Sequence, residues 1–256
     1  MQPRPGGRVL GAALPPAVRF LVCLLLVVSA GCADDERAAT APDTEADRLL
    51  AAVVAGAVAP AFARAQRYRA DVEVSVYDAH VVAGHETATV VQDGDSVRVL
   101  DRTARGVLAG DGADGPRLRD PIGPALPQDP PYLDPSVREA YRTAVLGDTT
   151  IAGAAFRTVE AVLTDEAREL GVRRVWAAVG DGGQIGAIEV DRRSDSAIYD
   201  ETSRVRVDLA PGPGGWVPRR VVTETRTDVP LSDPARVRTV WTVREVDGQP
   251  VRRRGR

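Results

Sequence analysis

The two histidines of the chain, His80 and His85, stand in the segment DAHVVAGHE together with Asp78 and Glu86. Imidazole and carboxylate groups are zinc ligands, so a metal site is one interpretation of this segment. A five-residue offset across a predicted hairpin connection is not a typical ligand spacing, and two solvated loop histidines are the simpler interpretation. The sequence therefore predicts no metal site and no cofactor.

The other groups that could do covalent chemistry form no catalytic pattern. No serine lies in an elbow motif beside a histidine, and Asp111, Asp114 and Asp181 next to glycines lack the ligand spacing of a calcium loop. Carboxylates are too numerous to single out a catalytic pair. We therefore expect no enzymatic activity.

Cys32 is the residue for which the sequence predicts a chemical role. It ends the segment VSAGC, which follows the apolar run Phe20–Ala30 and a leader with three arginines and no acid. The run is shorter than the roughly 20 residues of a membrane span, but it fits a secretory signal. Its end resembles the lipobox of bacterial lipoproteins, which implies removal of residues 1–31 and lipid on Cys32. An ordinary signal peptide with an incidental cysteine is the alternative.

The predicted anchor places the chain in the cell envelope, at the outer membrane facing the periplasm or at the cell surface. Cys23 lies in the part that would be removed, so Cys32 has no disulfide partner. Residues 32–43 are predicted to be a flexible tether, although the acids after Cys32 are also similar to a lipoprotein surface-export signal. A formal net charge of −3 argues against nucleic-acid binding. We expect a monomer that contacts the membrane through the lipid on Cys32.

Residues 44–248 are predicted to form one mainly β domain. Thr44 and Asp47 have the spacing of a helix start, and apolar residues follow at helical intervals as far as Val58. From Tyr68 onward, alternating segments such as YRADVEVSVYD and RVRVDLA predict antiparallel strands with one wet face. Residues 249–256 are predicted to be a disordered basic tail.

A proline-rich excursion over residues 103–147 interrupts the predicted strands. Near its end, Asp134 and Gly147 have the positions of a helix start and stop. The apolar residues between them are Val137, Ala140, Tyr141, Ala144 and Val145. Their spacing predicts a short amphipathic helix over 134–146, which we expect to act as a lid.

This order of elements resembles that of the LolA/LolB-type lipoprotein carrier superfamily. The closest local likenesses are the segments GQIGAIEVDRRSDSAIYDETSRV and GGWVPRRVVTETR. The resemblance implies a strongly curved antiparallel sheet, an incomplete β-barrel whose apolar side holds acyl chains beneath one long N-terminal helix and a short lid helix. The soluble shuttle of that superfamily is not lipidated, so the lipobox favours an anchored lipid-binding protein.

The expected ligand is a hydrophobic molecule, namely the acyl chains of a lipid or of a lipoprotein, with a role in lipoprotein or lipid trafficking. The same alternation is compatible with a sealed core in which valines and tryptophans pack on one another. A non-catalytic protein-binding module, in outer-membrane assembly or at the cell surface, is the alternative function. The residues expected to line the ligand site are Val72, Val74, Val76, Val137, Tyr141, Val145, Val205, Val207, Leu209 and Trp241.

Overall fold

The computed structural model describes residues 44–55, 67–94, 96–110, 130–164, 170–196, 198–212 and 215–251. This part of the chain contains one α-helix, α1 (Glu45–Ala55), and eleven strands. The strands are β1 (Arg67–Asp78), β2 (Val81–Asp93), β3 (Ser96–Gly106), β4 (Tyr141–Ile151), β5 (Ala154–Leu163), β6 (Val172–Val179), β7 (Ile185–Asp195), β8 (Asp200–Gly212), β9 (Gly215–Asp228), β10 (Ala235–Val246) and β11 (Gln249–Pro250). No helix among the described residues is long and apolar enough to cross a membrane.

The strands form one antiparallel sheet in the order β3-β2-β1-β10-β9-β8-β7-β6-β5-β4, with β11 added on β10. Neighbours in this order are mostly neighbours in sequence, because short turns join successive strands. The pairing of β1 with β10 brings the first meander against the later strands. The sheet is curved but does not close, so the prediction of a mainly β, open antiparallel sheet is confirmed.

Alternation along the strands gives the sheet two unlike faces. On β1, Val72 and Val74 are buried on one face, which we call the core face. Asp71 and Glu73 point to the other, which we call the charged face. Successive strand residues point to opposite sides, so this pattern follows directly from the sequence.

The helix α1 begins where the sequence predicts. The Thr44 hydroxyl accepts a hydrogen bond from the Asp47 backbone N–H at 3.1 Å, which satisfies one of the free donors of the first turn. Ala46, Leu50 and Val53 are buried, and the helix packs on β4, β5 and β6. The predicted continuation from residue 56 to Val58 lies outside the described residues.

The predicted lid helix over 134–146 is wrong. Short 3-10 turns occupy Pro131–Leu133 and Arg138–Ala140, and Tyr141 starts β4. Tyr141, Thr143 and Val145 pair with Leu163, Ala161 and Val159 of β5. Aromatic and β-branched residues favour a strand once a partner is available, and ladder pairing outweighs a helical spacing of this length.

The predicted boundary at residue 248 is also wrong. Gln249 and Pro250 pair with Val246 and Glu245 as β11, and Val251 is buried. The Val251 N–H donates to the Arg244 carbonyl at 2.9 Å. A tight turn at Gly248, whose φ is +77°, returns the chain onto β10, and this turn keeps the first tail residues on the sheet. Residues 252–256 lie outside the described part, as do residues 1–43 with the predicted signal and tether.

Candidate functional site

The structure brings nine of the ten predicted lining residues onto one buried surface of the sheet. Seven of them, Val72, Val74, Tyr141, Val205, Val207, Leu209 and Trp241, are at most 6% exposed. Val76 and Val145 are partly buried against the same cluster. Val137 precedes a 3-10 turn and is not part of this cluster, because the helix that would have turned it inward does not form.

A single apolar row crosses the core face from β2 to β4. Each member is the direct cross-strand neighbour of the next, so the row has no polar interruption over nine strands. The row consists of Ala88, Val72, Trp241, Val221, Val207, Ile188, Ala177, Val159 and Val145. At a strand spacing of about 4.8 Å, it runs for roughly 38 Å.

Part of this face is covered by α1 and the segment before β4. Leu50 of α1 is fully buried on it, and Tyr132 packs edge-on against Tyr141 with ring centroids 6.2 Å apart. The Tyr141 hydroxyl donates to the Val172 carbonyl at 2.6 Å, and burial raises the pKa of Tyr141 to about 12. The sequence left two alternatives, an open pocket and a sealed core. This conformation matches the sealed core, because seven of the ten predicted lining residues are at most 6% exposed.

Charged contacts fasten α1 to the sheet. The Asp47 carboxylate, 1% exposed, accepts hydrogen bonds from Arg138 and from the Thr143 hydroxyl, and Glu45 pairs with Arg157. Burial alone would raise the pKa of Asp47, but the hydrogen bonds from Thr44, Arg138 and Thr143 and the Arg138 charge lower it below its ordinary value. The helix is therefore held by polar contacts at its first turn and by apolar packing along its length.

A buried ion pair at the opposite edge of the core face was missed by sequence reasoning. Glu86 is fully buried opposite Val74, and its carboxylate accepts a hydrogen bond from Arg102 Nε at 2.5 Å. Arg102 also donates to the Leu108 carbonyl at 3.3 Å. The alternation along β2 indicates that Glu86 is buried, because it lies on the same face of the strand as Ala88 and Val90, which are both buried.

The two histidines lie in different parts of the β1–β2 hairpin. His80 is exposed in the turn, whereas His85 is half-buried in β2, so the prediction of a loop position is wrong for His85. The Ser75 hydroxyl lies 3.3 Å from His85 Nδ1. Among the described residues, no group of three or more metal-binding side chains is placed to hold an ion.

The charged face carries ordered ion pairs, which include a row of alternating sign. Asp191, Arg204, Glu224 and Arg238 are successive cross-strand neighbours from β7 to β10. Arg204 Nε lies 2.6 Å from Asp191, and Arg238 Nε lies 3.0 Å from Glu224. The hydrogen bond to Asp191 raises the pKa of Arg204, so its positive charge is secure.

Two cavities lined by described residues lie on the charged face, where the sequence predicts no site. One, of about 780 Å³, is at the end of the sheet where β7 turns into β8, and seven arginines and three carboxylates line it. The other, of about 720 Å³, is at the opposite end. It contains Trp176, over whose ring the Arg206 guanidinium lies 5.6 Å from the centroid.

No family model and no curated protein matches this chain. Solved structures are similar to it at low identity. One is an outer membrane lipoprotein-sorting protein domain from Vibrio parahaemolyticus, with a TM-score of 0.26, 14% identity, and coverage of 76% of this chain and 90% of that one. Another is a DUF1329 family protein from Desulfovibrio piger, with a TM-score of 0.25, 10% identity, and coverage of 77% and 88%.

A third similar structure is the MucA/MucB complex of Pseudomonas aeruginosa, with a TM-score of 0.22, 13% identity, and coverage of 83% of this chain and 100% of that one. A lipoprotein-sorting protein domain is thus among the similar structures. TM-scores this low show a distant likeness and nothing about function.

Proposed function

We propose that this chain is a non-catalytic envelope lipoprotein, anchored through lipid on Cys32, that binds the acyl chains of a lipid or lipoprotein on its core face. The observation that supports this proposal is the apolar row of nine strands. An acyl chain needs a continuous apolar surface without polar groups that its binding would leave unsatisfied. The row between Ala88 and Val145 offers that surface.

The helix α1 is shorter than the row that it helps to cover. The 11 residues of α1 span roughly 16 Å, against roughly 38 Å for the row, and the helix packs on β4, β5 and β6. Exposing the face to water would cost about 25 cal/mol per Å² of apolar area. An acyl chain therefore enters by replacing α1, and the ligand supplies the burial that the helix gives up.

A disulfide lock tests whether α1 is the lid. A Cβ at Gly183, in the turn after β6, would lie 3.6 Å from the Ala52 Cβ of α1, within the range of a disulfide. The variant Ala52→Cys with Gly183→Cys, in a chain with Cys23→Ser and Cys32→Ser, can be compared with itself before and after reduction. We expect a fluorescent fatty acid to bind the reduced protein at least tenfold better than the oxidised one.

The outcomes separate the parts of the proposal. Equal binding of the fatty acid in the two redox states would show that α1 is not the lid. If neither the variant nor the parent chain bound it, the proposal that the core face binds acyl chains would be wrong. The anchor is tested separately, by mass spectrometry of the full chain made in a bacterium that processes lipoproteins. Diacylglycerol on Cys32 is expected, and its absence, with the ligand still bound, would remove the anchor alone.

A further inference from the structure

Exposed apolar side chains are concentrated at one end of the sheet. In the described part of the chain nine large apolar residues are exposed, and seven of them lie at the end formed by the turns after β1, β7 and β9 and by the residue after β3. We call it the apolar end. The seven are Val81, Val82, Val107, Ile198, Tyr199, Val229 and Leu231.

The turn after β9 presents its leucine at a conformational cost. Leu231 is fully exposed, and its φ of +66° lies in the left-handed region that residues with a branched side chain rarely adopt. Glycine or asparagine would occupy this position without strain and without an exposed apolar group. A strained, solvated leucine is therefore the kind of outlier that points to a function.

The opposite end of the sheet shows how ordinary turns of this fold are built. Gly94, Gly153, Gly182 and Gly215 take positive φ angles in the turns after β2, β4, β6 and β8. None of the nine exposed apolar residues in the described part lies in those turns. We call this the glycine end. Both ends belong to the same strands, so the difference between them lies in the turn residues.

Arginines stand directly behind the apolar turns on the charged face. Arg226 of β9 and Arg236 of β10 are cross-strand neighbours, a like-charge pairing that costs stability unless an anion intervenes. Arg193 continues the row on β7, beyond Thr202. These residues line the 780 Å³ cavity.

Carboxylates compensate only some of this charge. Arg193 and Arg226 are bound by Asp195 and Asp228, at 2.6 and 3.0 Å, and Asp200 lies between those acids. Arg236 is instead stacked on Tyr77, with its guanidinium carbon 4.2 Å from the ring centroid.

Arg173, which also lines this cavity, has spare donor capacity. Its Nε is buried without a hydrogen-bond partner in the described part. The nearest carboxylate, Asp195, is 4.0 Å from its Nη2. The cavity behind the apolar turns therefore retains cationic groups that a phosphate could bind.

We propose that the apolar end docks on the surface of a phospholipid bilayer. Strand neighbours are about 4.8 Å apart, so the three successive turns form a line with a spacing of about 10 Å. Each turn presents two exposed apolar side chains. Apolar side chains in front of a row of arginines fit a lipid surface, because the acyl boundary accepts the apolar groups and the headgroup phosphates accept hydrogen bonds from the guanidinium groups. Arg226 lies three residues before Val229, roughly 10 Å back, the depth at which headgroup phosphates meet a side chain inserted to the acyl boundary.

A depth measurement tests this docking independently of the lipid on Cys32. In the full chain with Cys23→Ser and Cys32→Ser, a single cysteine replaces Leu231 and carries an environment-sensitive fluorophore. The matched control carries it at Leu146, which is 53% exposed on β4, away from both ends. On phosphatidylcholine–phosphatidylglycerol vesicles with nitroxide-labelled lipid, we expect at least threefold stronger quenching at 231 than at 146. Equal, weak quenching at both positions would overturn the proposal.

A second variant separates docking from turn stability. Leu231→Gly suits a φ of +66°, so the free energy of unfolding should stay the same or rise, while quenching of a fluorophore at Ile198→Cys should fall at least twofold. Leu146→Ser should leave that quenching unchanged. If Leu231→Gly left it unchanged as well, the apolar end would not be the docking surface.

Discussion

The two faces of the sheet share every strand and every backbone hydrogen bond, yet they use unlike interactions. On the core face an apolar row crosses nine strands from β2 to β4, and Trp241 and Val207 belong to it. On the charged face, Asp191, Arg204, Glu224 and Arg238 alternate in sign across the same strands. Burial of apolar surface is strong and not directional, whereas exposed ion pairs are weak but sensitive to position.

This difference indicates how the fold divides its tasks. The core face supplies most of the free energy of folding, and the same apolar surface is the one that a ligand could use. The charged face keeps the open sheet soluble and favours one strand register, because a slip by one residue would bring Asp191 and the other charges of the row onto the core face. Substitutions on the core face should therefore lower the free energy of unfolding more than substitutions on the charged face.

The largest expected effect is that of Trp241→Ala. Trp241 is 1% exposed between Val72 and Val221, so its removal should leave a cavity and lower the free energy of unfolding by about 3–5 kcal/mol. Urea denaturation followed by circular dichroism measures this loss. Trp176→Ala, on the charged face where the ring is half-buried, is the control and should cost less than half as much. Equal losses would contradict the division between the faces.

Glu86→Gln should cause the next largest loss of unfolding free energy, because it breaks an ion pair that is buried on the core face. Glu86 is fully buried and Arg102 is 22% exposed, so removing the negative charge should cost about 3 kcal/mol. The double variant Glu86→Leu with Arg102→Met should recover most of this loss, since both charges of this pair are then removed. A cost below about 0.5 kcal/mol for Glu86→Gln would show that water reaches the pair.

Asp47→Asn should weaken the attachment of α1 by about 1 kcal/mol at neutral pH, since Arg138 is partly exposed and its charge is screened. The folded-state pKa of Asp47 is lowered from 3.8, so its stabilisation is complete above about pH 4 and is lost as the pH falls through that lower pKa. Urea denaturation measures the free energy of unfolding at pH 7 and pH 3. The difference in this free energy between the parent chain and the variant should be smaller at pH 3. A constant difference would contradict this assignment.

Alternation along the strands and the start of α1 could be predicted from the sequence, because both depend on residues close together in the chain. The lid helix could not be excluded, since Tyr141 and Val145 are four residues apart and share a face in a helix and in a strand alike. Pairing with β5 decides between the two. The partner of Glu86 was equally out of reach, because Arg102 meets it only through an irregular register near Asp101, whose φ is +50°.

The smallest expected effect is on the charged face, where Glu224→Gln removes one partner of Arg238. Both side chains are about one-third or more exposed, so the free energy of unfolding should fall by only about 0.2–1 kcal/mol. A double-mutant cycle with Arg238→Gln isolates the pair, and its coupling should shrink further in 1 M salt, where the screening length is about 3 Å. A coupling above about 2 kcal/mol that survives salt would mean that the alternating row stabilises the sheet as strongly as the core, and the contrast between the faces would be lost.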